Sequence, residues 1–229
     1  MTKFERFQPS FFEFLEQLAE NNNRPWFQDN KTRYEQEVFS PAMDFIRAFQ
    51  PRLKRISPHF VASDRRIGGS LMRVYRDTRF AKDGAPYKTN VGIQFRHELG
   101  KDVHAPGYYV HIAPGECFLA LGLWRPEAEP LSQIRQAIVE STDRWRRARN
   151  DQKFCTRFVL DGNSLKRPPR GFPSDHPCIE DLKRTDFIAL ETLDEREVLH
   201  KRFPDHVAES FAAGRLFMRF LCDAMKTPF

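Results

Sequence analysis

The apolar residues of this chain change period twice, and that change limits the folds open to it. Up to about residue 56 they recur at helical spacing; from about residue 66 to 124 they alternate; beyond that the helical spacing returns. Spacing of three and four places apolar side chains on one stripe of a helix, whereas alternation places them on one face of a strand. A block of helices, a block of strands and a second block of helices predict an α+β fold rather than an alternating α/β one.

The individual segments follow from the same rule. "SFFEFLEQLAENNN" predicts a first helix capped by Ser10, with Glu13 at the capping-box position and Phe11, Phe14, Leu15 and Leu18 on its stripe. "RPWFQDNKTRYEQEV" restarts a helix with Pro25 in its first turn, and a third helix follows Pro41, turning Phe45, Phe49 and Leu53 to the core. "SLMRVYR", "NVGIQFRHE", "GYYVHIA" and "ECFLALGLW" read as strands. The connections "LGKDVHAP" and "PG" are short, so the strands they join should be antiparallel neighbours in a meander. "LSQIRQAIVESTDRWRRARN" reads as one helix, "CIEDLKR" as a short one and "DFIALETL" as a further strand. "DHVAESFAAGRLFMRFLCDAM" reads as one last helix, apolar nearly all round in its second half and therefore packed inside. The expected architecture is a single α+β domain over residues 1–229. N-terminal helices precede a central antiparallel sheet of about four to six strands, and C-terminal helices pack on one face.

Composition narrows the function classes. The chain has 229 residues, enough for a substantial core, and 22 of them are Phe, which carries apolar area without a polar handle. Its formal net charge of +6 allows, without requiring, attraction to phosphates or anionic surfaces. Cys117, Cys155, Cys178 and Cys222 have neither metal-finger nor redox spacing, and neither a metal nor a cofactor is expected. The start "MTKFERFQPS" has no signal-type apolar run and no segment has transmembrane length, so the expectation is a cytoplasmic protein with reduced thiols and no membrane partner.

Alternation sorts the strand side chains into two faces. One carries Met72, Val74, Val91, Ile93, Phe95, Val110, Ile112, Cys117, Leu119 and Leu121 and calls for helices over it. The other carries Arg73, Tyr75, Gln94, Arg96, Tyr109, His111 and Trp124, with Ala120 and Gly122 leaving space among them. Such a mixture of aromatic walls and a few polar groups suits a ligand recess, and an ordinary half-exposed sheet face is the plain alternative. The stretch "RVYRDTRFAKDGAPYKTN" would bring five cations to it: Arg73, Arg76, Arg79, Lys82 and Lys88. Asp77 and Asp83 stand close enough in sequence to pair with some of these. The expected ligand is an anionic small molecule bearing phosphate or carboxylate. Arg73, Arg76, Arg79, Lys82, Lys88 and Arg125 would hold its charge, and Tyr75, Tyr87, Tyr109 and Trp124 would frame it. If the chain is a hydrolase or transferase acting on such a ligand, Asp77 or His111 is the candidate proton-transfer group. A third class, non-specific nucleic-acid binding, rests on the cations of "DRWRRARNDQKFCTR" and "LKRPPRGF".

Four ordered motifs, "NNNRPWFQDNKTRYE", "LMRVYRDTRFAKDGAPYKTN", "LGLWRPE" and "LKRPPRGF…HPCIEDLKRTDF", resemble the domain-of-unknown-function family 2461 over roughly residues 8 to 225. The resemblance implies one α+β domain of bacterial type and brings no activity, cofactor or catalytic residue with it. That family's loop usually carries Lys before a small residue and Pro-Tyr-Lys; here Gly84 and Ala85 stand in those places, which removes one cation.

Overall fold

The computed structural model describes residues 4–77, 84–100 and 106–229. The first helix, α1 (Pro9–Glu20), begins before the expected cap: Gln8 sits at the N-cap with no side-chain bond, and Ser10 lies inside the helix. Pro9 explains the difference, because its fixed φ and missing N–H suit the first turn without a capping side chain. Asn23 caps α2 (Arg24–Asp29), its Oδ1 accepting from the Trp26 amide at 3.0 Å. The chain then runs on through α3 (Lys31–Arg33), a π-helical stretch (Tyr34–Phe39) and α4 (Ser40–Ile56). The wide turn falls just before Pro41, whose missing N–H would otherwise interrupt the bonding ladder.

The sheet has six strands in the order β1-β2-β3-β4-β6-β5, every neighbouring pair antiparallel. They are β1 (Phe60–Val61), β2 (Val91–His97), β3 (Gly107–Ala113), β4 (Glu116–Leu123), β5 (Val159–Asp161) and β6 (Phe187–Leu193). The meander of β2, β3 and β4 and the strand from "DFIALETL" stand as the alternation predicts. "SLMRVYR" does not form a full strand. Only its first residues line the edge of β2, where the Met72 amide donates to the Gly92 carbonyl at 2.9 Å and the Gln94 amide to the Ser70 carbonyl at 2.8 Å. The chain then leaves the sheet and folds back on itself, Arg76 N–H reaching the Pro86 carbonyl at 2.9 Å and Lys88 N–H the Val74 carbonyl at 2.7 Å. The basic stretch is thus an edge hairpin rather than a link between central strands. Asn22 clamps it from the turn after α1: its side chain accepts from the Tyr87 amide at 3.0 Å and donates to the Tyr87 carbonyl at 2.9 Å.

Helices cover one face. After β4 come α5 (Ala128–Glu140), α6 (Thr142–Arg149) and α7 (Gln152–Arg157), then α8 (Ile179–Leu182), α9 (Glu195–Val198), α10 (Phe203–Ala213) and α11 (Arg215–Ala224). Two predicted long helices are therefore broken, one at Ser141 and one at Gly214. Gly214 lies so close to β4 that a Cβ there would stand 2.2 Å from Leu121 Cδ2, so the bend is also a close approach of helix to sheet. No helix among the described residues is long and apolar enough to cross a membrane.

The core lies between these helices and the aliphatic sheet face. Phe49 of α4 stacks on Phe95 of β2 with ring centroids 4.8 Å apart and meets Phe211 of α10 edge-on at 6.0 Å. A polar cluster interrupts it where Glu191 of β6 lies 3.2 Å from Arg157 Nη1 and 3.4 Å from His206 Nε2. The Glu191 carboxylate raises the His206 pKa against the opposing effect of burial. A group whose folded pKa is raised stabilises the fold fully below its unfolded pKa, and that contribution is lost as pH rises through the folded value. The stability supplied by His206 should therefore fall as pH rises above about 6.5. His206→Gln should remove that part of the pH dependence in denaturant titrations run at pH 6 and pH 8.

Candidate functional site

The uncovered sheet face holds a recess of about 440 Å³, within the range of small-molecule sites. Its floor is low because small residues meet there: Gly107 pairs with Gly122, and Tyr109 with Ala120. Phe118 and His111 stand at one end as a nearly parallel stack, centroids 4.5 Å apart and planes 6° from each other. Trp124 stands at the other end, and Ile188 and Leu190 of β6 close one side.

Two polar groups face each other inside it, the Tyr109 hydroxyl and His111 Nδ1, 3.1 Å apart. Burial pushes the Tyr109 pKa up to about 12, with Glu116 adding to it. Burial likewise lowers the His111 pKa against a smaller opposing effect of Glu116, which favours the neutral imidazole. Both shifts hold the pair in its neutral forms, joined by one hydrogen bond between phenol and imidazole. Gly92 makes room for it, since a Cβ at that position would stand 2.6 Å from the Tyr109 hydroxyl. Gly92→Ala should displace the ring and cost about 1–3 kcal/mol. Thermal unfolding should show the loss, and Tyr109→Phe in the same background should recover part of it.

The Trp124 end is held from beneath. Arg125 has a backbone φ of 47°, in the left-handed region, and its guanidinium lies over the Trp124 ring at 4.7 Å. Asp186, only 1% exposed, accepts from the Arg125 amide at 2.7 Å and from the Asn163 amide at 2.9 Å. One buried carboxylate therefore fixes both the turn after β4 and the loop after β5, just beyond Asp161, which lines the recess. Among the described residues, Asp161 is the only carboxylate lining the recess, and neither Lys nor Arg lines it.

Several residues expected from the sequence lie together here. Tyr109 and Trp124 line the recess with Gln94, His111, Ala120 and Gly122, and Arg125 stacks against Trp124. Met72 also lines it, although alternation assigns it to the aliphatic face; Leu71 bridges to Ile93 and takes the core side instead. Arg73, Tyr75, Arg76, Asp77, Tyr87 and Lys88 lie on the edge hairpin and do not line the recess. Tyr87 is a core residue, 2% exposed and stacked on Phe27 at 4.0 Å. Lys88 is half-buried, and burial, then Arg73, lowers its pKa. Arg79, Lys82 and Asp83 lie outside the described residues. In the basic helical stretch, Arg144 pairs with Asp223, Arg149 with Asp181 and Arg157 with Glu191, so three of its cations are engaged within the chain. His111 and Cys117 face opposite sides of the sheet, as the register Ile112–Cys117 and His111–Phe118 requires. Asp186, Asp161 and Gly92 escaped the sequence reading. The one signal for Asp186 was its place in the "LKRTDF" motif just ahead of β6.

No curated protein and no solved structure matches the chain. A family model described as "Conserved hypothetical protein (DUF2461)" matches residues 10–220, nearly the whole length. The chain belongs to that family.

Proposed function

We propose that the recess on the open sheet face binds a small organic anion. Its apolar body would cover Ala120 and Gly122, and its acidic group would reach Arg125. The observation that carries this reading is the roughly 440 Å³ recess walled by Phe118, Tyr109 and Trp124, with the Arg125 guanidinium stacked on Trp124. The strained backbone of Arg125 supports it, because conformations of this kind persist where the surroundings over-determine them and cluster at ligand sites. A cytoplasmic setting suits this reading, with Cys117, Cys178 and Cys222 buried as free thiols.

Charge substitutions test it. Calorimetric titration with 2-naphthoate should show Arg125→Ala weakening binding roughly fivefold and Asp161→Asn strengthening it roughly twofold, as partly exposed charges allow. The opposite pair of results would contradict an acidic group held by Arg125. A second reading, hydrolase or transferase chemistry on the bound molecule, is favoured by the Tyr109–His111 contact, which is the arrangement an acid–base step uses. For a turned-over substrate, His111→Gln should abolish the reaction while leaving binding within about twofold.

A further inference from the structure

We infer that the anion bound at this recess is aromatic, a planar ring carboxylate rather than a fatty or branched aliphatic acid. The inference rests on the reading of the recess as an anion site and specifies the body of the ligand.

The shape of the recess points to a plate. Its lining residues come from five neighbouring strands, from Gln94 of β2 across to Asp161 of β5. At about 4.8 Å per strand spacing, that is a width of roughly 19 Å. Along the β4 direction the lining runs from Phe118 to Trp124, roughly 20 Å at strand rise. A site nearly as wide as it is long suits a flat molecule, whereas a chain acid asks for a narrow channel along one direction. The floor is low for a covalent reason: Gly107, Ala120 and Gly122 put little or nothing above the backbone.

The walls present π faces and edges where a plate would need them. Phe118 is backed by the parallel His111 ring, so its orientation is held. Tyr109 is 6.0 Å from Phe118, tilted by 51°, and is held by its contact with His111. Trp124 is braced by the Arg125 guanidinium, and that residue's backbone is in turn held by Asp186. An aromatic body gains offset or edge contacts with these rings beyond the area it buries. A carboxylate in the ring plane can meet the planar fork of Arg125, which matches carboxylate geometry.

The test compares two acids of equal charge and similar size, 2-naphthoate and its fully saturated counterpart decahydro-2-naphthoate, by calorimetric titration of the whole chain. The expected result is one site per chain and binding of the aromatic acid roughly tenfold tighter. Trp124→Leu, at a residue 46% exposed and so outside the packed interior, should erase most of that preference while changing the saturated acid less than about twofold. Equal affinities for the two acids would overturn the aromatic assignment and leave the anion site standing. Binding of neither acid would overturn both. A preference that survives Trp124→Leu unchanged would place the aromatic contacts elsewhere and also overturn it.

Discussion

Asp186→Ala is expected to lower folding stability by about 3 kcal/mol and to weaken ligand binding at the recess in the same variant. The carboxylate is buried and accepts from two backbone amides, Arg125 N–H and Asn163 N–H, and from the Asn163 side chain at 3.2 Å. A hydrogen bond to a charged group contributes about 1.5–3 kcal/mol, and two backbone donors lose theirs together. The functional consequence comes through conformation. Arg125 holds a left-handed φ of 47° that a non-glycine residue adopts only when its surroundings impose it. Without Asp186 the turn should relax, and the guanidinium should leave the Trp124 ring. Asp186→Asn keeps one acceptor oxygen and should fall between wild type and the alanine variant in both urea denaturation and calorimetric titration. A stability loss with unchanged affinity would separate Asp186 from the recess.

Phe49→Ala should lower stability by about 3–5 kcal/mol. Phe49 is fully buried and joins three elements, stacking on Phe45 of its own helix and Phe95 of β2 and meeting Phe211 of α10. Removing the ring takes away its transfer free energy and leaves a cavity between helix and sheet that a close-packed interior cannot fill by relaxing. The urea midpoint should fall with the slope unchanged, since the folded topology persists. Ligand affinity, measured where the variant is still folded, should stay near wild type because Phe49 lies on the opposite side of the sheet from the recess. Phe49→Leu should lose less than half as much, because it keeps most of the volume.

How far the sequence could be read depended on the length of each pattern. β2, β3, β4 and β6 carry seven or eight residues each, long enough for alternation to name both faces and so to bring Tyr109, His111, Ala120 and Gly122 to one side. β1 and β5, with two and three residues, have no period to detect. The same limit misplaced Met72: the chain touches β2 for only a few residues before leaving, so alternation counted from the later hairpin assigns it the wrong face. The helix break at Gly214 is hidden because apolar residues continue on both sides of it. Its cause is tertiary, the nearness of Leu121. The basic stretch reads as a source of cations for the sheet face; its described cations lie on the edge hairpin and do not line the recess, while Arg125, stacked on Trp124, is placed by a carboxylate sixty-one positions later in the chain.

The most direct test of the recess as the binding site is a crystal structure of the chain with 2-naphthoate. Density for the ring system over Ala120 and Gly122, between Phe118 and Trp124 and with its carboxylate at Arg125, is the expected result. Density on the edge hairpin beside Arg73 and Lys88, with the sheet face free of ligand, would contradict it.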